Sequence, residues 1–342
     1  MAWMVPLSVL DLSPITAGGS AGQSLRNSRD LAEHADRFGY KRFWMAEHHN
    51  MLGIASAATA VALAFVAENT TKIRIGSGGV MLSNHAPLVI AEQFGTLASL
   101  YPDRIDLGVG RAPGTDQATA QALRRTLAGN LDRFPNDVLE LISYFRDAEP
   151  GQRIRAIPGA VTNVPVWILG SSTYGAQLAA MLGLPYAFAS HFAPEQMAQA
   201  CAIYRAQFRP SEFLDKPYLM LGLNVVAADT DAEAARLFTS IQQSFIRLRT
   251  GQPGQLSAPV ENLAEQIDPS LRGMLDEVLA RSVVGSPQTV ALGMARFAQA
   301  NGADELMITA QIYDHAARLR SFEIAAQSAL SATAHQPVSL TT

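Results

Sequence analysis

Short apolar runs rich in β-branched residues alternate with longer amphipathic runs almost from one end of this chain to the other. That alternation restricts the fold more than any other feature. Extended runs fall at residues 7–10, 42–46, 73–76, 105–109, 166–169, 186–189, 219–226 and 305–309. Helical periodicity occupies 24–38, 56–68, 87–100, 173–182, 195–208, 229–248, 286–300 and 315–330, and a further helical stretch, broken near 129–135, ends by 146. Strands separated by helices predict a parallel sheet, because each helix carries the chain back to the start of the next strand. Eight such units predict a single-domain (β/α)8 barrel spanning 1–342. An open, doubly wound sheet is the competitor, but Gly18, Gly19 and Gly22 follow a long loop and lack the G-x-G-x-x-G spacing that such a sheet carries after its first strand. Residues 249–283, richer in Gly, Pro and polar side chains, read as an inserted loop before the last strand and as a lid over the barrel mouth.

Composition bounds the setting. With 48% apolar and 16% charged residues the chain can fill a core and has no signature of disorder. A net charge of −4 argues against nucleic acid as a partner. The single cysteine, Cys201, excludes an internal disulfide, suits a reducing compartment, and sits in a helical run where it reads as packing. The N-terminus has no basic segment leading into an apolar one, so no signal peptide is expected. The stretch IASAATAVALAFVA is too short and too rich in alanine to span a bilayer. A cytoplasmic protein with no membrane partner is the expectation.

A barrel presents its chemistry on the loops after its strands. Those loops hold Glu47-His48-His49-Asn50, Ser77-Gly78-Gly79, Asn84-His85, Gly110-Arg111 with Pro113-Gly114 beyond, Ser171-Ser172, and His191. His48, His49, His85 and His191, with His315 less closely, place five of seven histidines at one rim. Each also has a structural reading. Paired histidines can hold loops by hydrogen bonding, Arg111 can be a surface ion-pair residue, and Ser171-Ser172-Thr173 is at least a helix N-cap. The same helix start exposes N–H groups that suit an anion.

FWMAEHHN after the second strand, IGSGGVMLSNHAPLVIAEQFGTLASLYPDRIDLGVGRAPG through the third and fourth, and VVGSPQTV before the last helix resemble the bacterial luciferase-like flavin monooxygenases, in the subgroup of unassigned substrate. The resemblance covers nearly the whole chain in the same order. It implies an enzyme that takes reduced FMN from a separate flavin reductase and forms a C4a-hydroperoxyflavin with O2. That species would oxidise a small, hydrophobic organic substrate. By position His48 is similar to the family's active-site histidine, flanked by Glu47 and His49. Arg111 is similar to its phosphate-binding arginine, and Ser171 and Ser172 to its phosphate loop. Ser77, Gly78 and Gly79 correspond to the turn under the flavin ring, where the family often has a non-proline cis peptide. Gly110 stands where the light-emitting members carry a reactive cysteine, so luminescence is not implied. Some relatives use a deazaflavin; the Glu-His-His element leans towards FMN, and a homodimer is expected. Trp44, Met81 and Phe192 are candidates to line an apolar pocket.

Two other classes remain open. One is a metal-dependent barrel hydrolase using His48, His49, His85 and His191, although neighbouring histidines on an extended chain point to opposite sides, so no metal is expected. The other is a protein that holds flavin without turnover.

Overall fold

The computed structural model describes residues 5–112, 117–123 and 133–334. Eight parallel strands close into a barrel: β1 (Leu7–Asp11), β2 (Arg42–Met45), β3 (Arg74–Met81), β4 (Ile105–Gly110), β5 (Val166–Gly170), β6 (Tyr186–Phe188), β7 (Leu219–Ala227) and, after the short β8 (Ser282–Gly285), β9 (Glu305–Thr309). Each strand pairs with the next up to β7; β9 then pairs with β7 and returns to β1, with Leu7 beside Leu306. The (β/α)8 expectation is met. The helices around the ring are α1 (Ala21–Arg37), α2 (Thr59–Ala67), α3 (Pro87–Leu100), α4 (Gln117–Leu123), α5 (Phe134–Tyr144), α6 (Thr173–Leu182), α7 (Met197–Gln207), α8 (Asp231–Arg249), α9 (Leu263–Gln266), α10 (Pro269–Val278), α11 (Pro287–Asn301) and α12 (His315–Ala334). No described helix is long and apolar enough to cross a membrane.

The element ends follow local chemistry. Ser20 accepts from the Gln23 N–H at the start of α1, and Thr230 accepts from the Glu233 N–H at the start of α8. Pro87 and Pro287 occupy the first turns of α3 and α11, where a missing N–H costs nothing.

The insertion before the last strand is more ordered than a loop. Its α10 packs on α8 through a separate apolar cluster of Ile241, Phe245, Leu275, Val278 and Leu279. Beyond it β8 pairs with the C-terminal half of β7, Ser282 opposite Asn224 and Gly285 opposite Ala227. This ninth strand is absent from the periodicity because it is four residues long and runs directly into the Ser286-Pro287 helix start.

Strand alternation sorts the side chains into two cores. Val9, Phe43, Ile75, Leu107, Ile168 and Leu221 face outward and pack under the helices. Leu10, Trp44, Ala46, Trp167, Met220 and Met307 face inward and fill the barrel. The Trp44 and Trp167 rings meet edge to face, centroids 5.2 Å apart. Two tryptophans fit because neighbouring inward positions are glycines. A Cβ on Gly76 would lie 2.7 Å from Trp44 Nε1, and one on Gly108 would lie 2.6 Å from a Leu169 methyl.

Beneath this layer the barrel floor is charged. Arg42 donates to Asp106 (2.6 Å) and Glu305 (3.0 Å), and Arg74 donates to the other Asp106 oxygen at 2.7 Å. Glu305 also accepts from Tyr218 at 2.7 Å and pairs with Lys41 at 3.2 Å. Burial works against the charge on Arg42, but Asp106 and then Glu305 outweigh it and hold the guanidinium protonated. Removing one member would leave the others buried and unpaired. Asp106→Ala is expected to lower the unfolding free energy by roughly 3–5 kcal/mol, read from the urea midpoint, whereas a loss below about 1 kcal/mol would show the cluster to be dispensable.

Candidate active site

All strands end at one rim, and β2 ends in the residues that organise it. Extended backbone alternates sides, so Glu47 and His49 point one way and His48, continuing the inward series Arg42, Trp44, Ala46, points the other. Glu47 is buried, and its Oε1 accepts from His49 Nε2 and His85 Nε2, both at 2.8 Å. Its Oε2 accepts from the Met81 N–H at 3.2 Å, tying the end of β2 to the end of β3. Burial alone would raise the Glu47 pKa; hydrogen bonding and charge from His85, then His49, more than reverse this and hold it below the ordinary carboxylate value.

The donor atoms of Glu47, His49 and His85 lie within 4.8 Å of one another. Both rings already bond the carboxylate, which is the geometry of a hydrogen-bonded clasp. The four-histidine ligand set considered for a hydrolase does not assemble among the described residues: His49 and His85 gather on Glu47, while His48 and His191 stand apart from that group.

His48 is largely buried, and its Nδ1 has no hydrogen-bond partner. Burial lowers its pKa, aided by His49 and opposed by Glu47. Next to β2 on the barrel wall, Gly78 and Gly79 are joined by a cis peptide bond. A Cβ on Gly78 would lie 3.2 Å from the Trp44 ring, and one on Gly79 2.7 Å from the Gly108 carbonyl. Trp44 thus forms a sealed floor beneath this turn rather than an open pocket wall. The Ser77 hydroxyl donates to the Gly108 carbonyl at 2.8 Å, linking β3 to β4.

Arg111, just past β4, lies over the Tyr174 ring at 4.0 Å and so beside the first turn of α6. Among the described residues it has no carboxylate partner. Pro113 and Gly114 lie outside the described residues. Ser172 is the N-cap residue of α6 but its hydroxyl makes no cap bond; the Thr173 N–H instead donates to Gln196 Oε1 at 3.2 Å, while Ser171 is exposed. His315 bonds Asp30 on α1 at 2.8 Å, and Cys201 is buried on α7, its thiol pKa raised by burial.

The insertion reaches this rim. Leu256 exchanges backbone hydrogen bonds with the loop after β1, accepting from Ala17 and donating to Ile15, both at 2.8 Å. Gly254 lies so close to Gly53, after β2, that a Cβ there would fall 2.2 Å from its carbonyl oxygen. Phe192 touches the insertion's cluster, with ring centroid 6.1 Å from Phe245.

Sequence reasoning underrated three residues. His85 and His191 stood only as rim histidines or metal candidates, and Gln196 gave no signal at all. Gly222 was the available clue for His191: an isolated glycine inside the long apolar run of β7 marks a close approach.

The sequence profile of the luciferase-like monooxygenases matches residues 5–305. The chain belongs to that family. A luciferase-like monooxygenase from Escherichia coli K12 is 53% identical over 321 residues, covering 94% of this chain and 96% of that one. The N-acetyl-S-alkylcysteine monooxygenase of Bacillus subtilis is 35% identical over 277 residues, covering 78% and 82%. The crystal structure of apo-MsnO8 superposes with a TM-score of 0.87 at 38% identity, covering 95% of this chain and 98% of its own.

Within this family member the Glu47 clasp has a measurable signature. Because its folded-state pKa is depressed, its stabilisation is present above the ordinary carboxylate pKa of 4.5 and is lost as pH falls through the folded value. Glu47→Gln should cost roughly 1.5–3 kcal/mol at neutral pH, with the gap to the native chain closing on acidification in pH-dependent unfolding. A gap that stays constant with pH would remove the carboxylate's charge from the account.

Proposed function

We propose that this chain is the oxygenase component of a two-component system, using reduced FMN and O2 to oxidise a small, predominantly apolar organic molecule. The observation that carries the reading is Arg111. Its guanidinium, with no carboxylate partner among the described residues, is held over Tyr174 at the start of α6. A cation beside the N-terminus of a helix suits a terminal phosphate, with Ser171 and Ser172 supplying hydroxyls and Gln196 bonded to the Thr173 N–H. Between that point and His48 lie Gly78 and Gly79, where a Cβ would strike Leu10 and Trp44 or the Gly108 carbonyl, so the turn packs closely on its neighbours and offers only backbone to a flat ring laid against it. FMN therefore fits the residues present.

When bound, reduced FMN would supply two electrons to O2, of which one oxygen atom would pass to the substrate and the other would leave as water. The protein's own part is to hold and shield. His48 stands beside the ring as an imidazole kept neutral by burial. Glu47, with His49 and His85, fixes the loop that carries it. Residues 249–283 serve as a lid, because water must be kept from the oxygenated flavin. The hydrogen bonds of Leu256 place part of that lid against the loop after β1.

A separate flavin reductase would deliver the cofactor, and a cytoplasmic setting follows from that supply. A homodimer is supported by α2, whose nine residues are almost wholly apolar and expose Val61. The alkyl thioether named for the Bacillus relative makes sulfur compounds a natural part of a substrate panel.

Anaerobic titration with reduced FMN followed by rapid mixing with oxygen tests the reaction. A transient absorbing near the flavin adduct region, shortened by a substrate in the panel, is expected. Tight flavin binding with oxygen consumption unaffected by any panel member would favour a carrier instead. Arg111→Ala should weaken FMN binding roughly 10- to 100-fold and leave riboflavin binding nearly unchanged, the loss of one charge-assisted contact. Equal weakening of both would take Arg111 off the phosphate. Limited proteolysis should cut the 249–283 segment first and be slowed by FMN; cleavage indifferent to FMN would remove the lid.

A further inference from the structure

Position 222 faces into the barrel, in register with Met220 and Asn224, and it is glycine. A Cβ there would lie 2.2 Å from Nδ1 of His191, so the His191 imidazole occupies the volume a side chain at 222 would fill. The ring enters the barrel interior from the loop after β6. That loop is pinned: Asn224 Nδ2 donates to the His191 carbonyl at 2.7 Å, and Ser190 Oγ donates to the Gly222 carbonyl at 2.6 Å. Phe192 anchors its far side on Phe245.

His48 enters the same interior from β2, as the next inward residue after Ala46. Nδ1 of each ring is buried without a hydrogen-bond partner. His191 Nδ1 is packed against Gly222, so the nitrogen this ring can offer a ligand is Nε2, on the side of the ring away from that backbone, while His48 Nδ1 is a second buried nitrogen left unpaired in the same interior, where polar nitrogens are ordinarily satisfied.

We propose that His191 is a second ligand-facing residue of the barrel mouth, an imidazole that hydrogen-bonds the bound flavin through Nε2. The proposal deepens the flavin reading and rests on it. Charge considerations agree. Burial pushes His191 down to about 4, with the His48 imidazole adding to the effect. The groups acting on His48 are Glu47, which favours its proton, and His49, which opposes it. Both rings are therefore neutral at neutral pH, and each can donate from one nitrogen and accept at the other. The chamber offers hydrogen bonds without offering a free proton.

Histidine-resolved NMR of the flavin-free chain comes first. His191 should titrate near 4, and in His48→Asn its pKa should rise. A value at the ordinary 6.5 that does not respond to His48→Asn would overturn the facing pair. Oxidised FMN is then added as the probe, with binding followed independently by fluorescence. Resonances of both His48 and His191 should shift while His34, on the outer face of α1, stays still. Binding that moves His48 but not His191 defeats this proposal and leaves the flavin reading standing. No FMN binding by the native chain defeats the flavin reading, and this proposal with it. His191→Phe, which fills the volume without a donor, should weaken FMN at least tenfold, and His191→Asn should stay within threefold of the native chain. Equal affinities for Phe and Asn variants would reduce His191 to packing.

Discussion

The buried charge cluster of Arg42, Asp106 and Glu305 is the constraint on which the rest of the molecule stands. The three residues come from β2, β4 and β9, none of them adjacent in the sheet, and meet only because the sheet closes. In an open sheet each would sit unpaired in a low-dielectric layer, so the cluster favours closure as well as tolerating it. It also fixes what lies above. Asp106 accepts from Trp44 Nε1 at 3.3 Å, the Trp44 ring lies under Gly78, and Gly78 begins the turn beneath the chamber. Position is handed upward from the floor to the mouth through one carboxylate and one indole.

Much of this architecture was legible because the strands are long enough for their apolar runs to stand out against helical periodicity. Seven of them match the observed spans to within about two residues at most ends; β3 runs on past its expected end, through Ser77, Gly78 and Gly79, which carry no apolar signal. β8 was invisible for the complementary reason, being four residues that merge into a helix start. The insertion read as loop because its Gly and Pro residues mask a helix whose apolar face packs only on α8. At the rim, the motif around His48 and Arg111 was readable by resemblance. What could not be read was how the histidines would divide, because His85 joins Glu47 from 38 positions away and His191 reaches its slot only through the packing of β6 on β7.

That division follows from a two-residue period. Consecutive residues of an extended segment serve opposite sides, so Glu-His-His splits into a clasp formed by its first and third members and a chamber-facing imidazole in the middle. The clasp can be stiff because both carboxylate oxygens are occupied. The middle ring can be left unsatisfied at Nδ1 because its neighbours hold the loop for it. One tripeptide separates the task of fixing a loop from the task of meeting a ligand.

The glycine at 222 and the ring of His191 share a single volume inside the barrel. Mutational drift cannot treat them independently. A larger residue at 222 requires the histidine to leave, and a smaller residue at 191 opens a void that only a side chain at 222 can refill. Across descendants of this fold the two positions are bound to change together, glycine with a large ring or a bulky residue with a small partner. The pairing would identify, from sequences alone, which relatives keep a second imidazole in the mouth of the barrel.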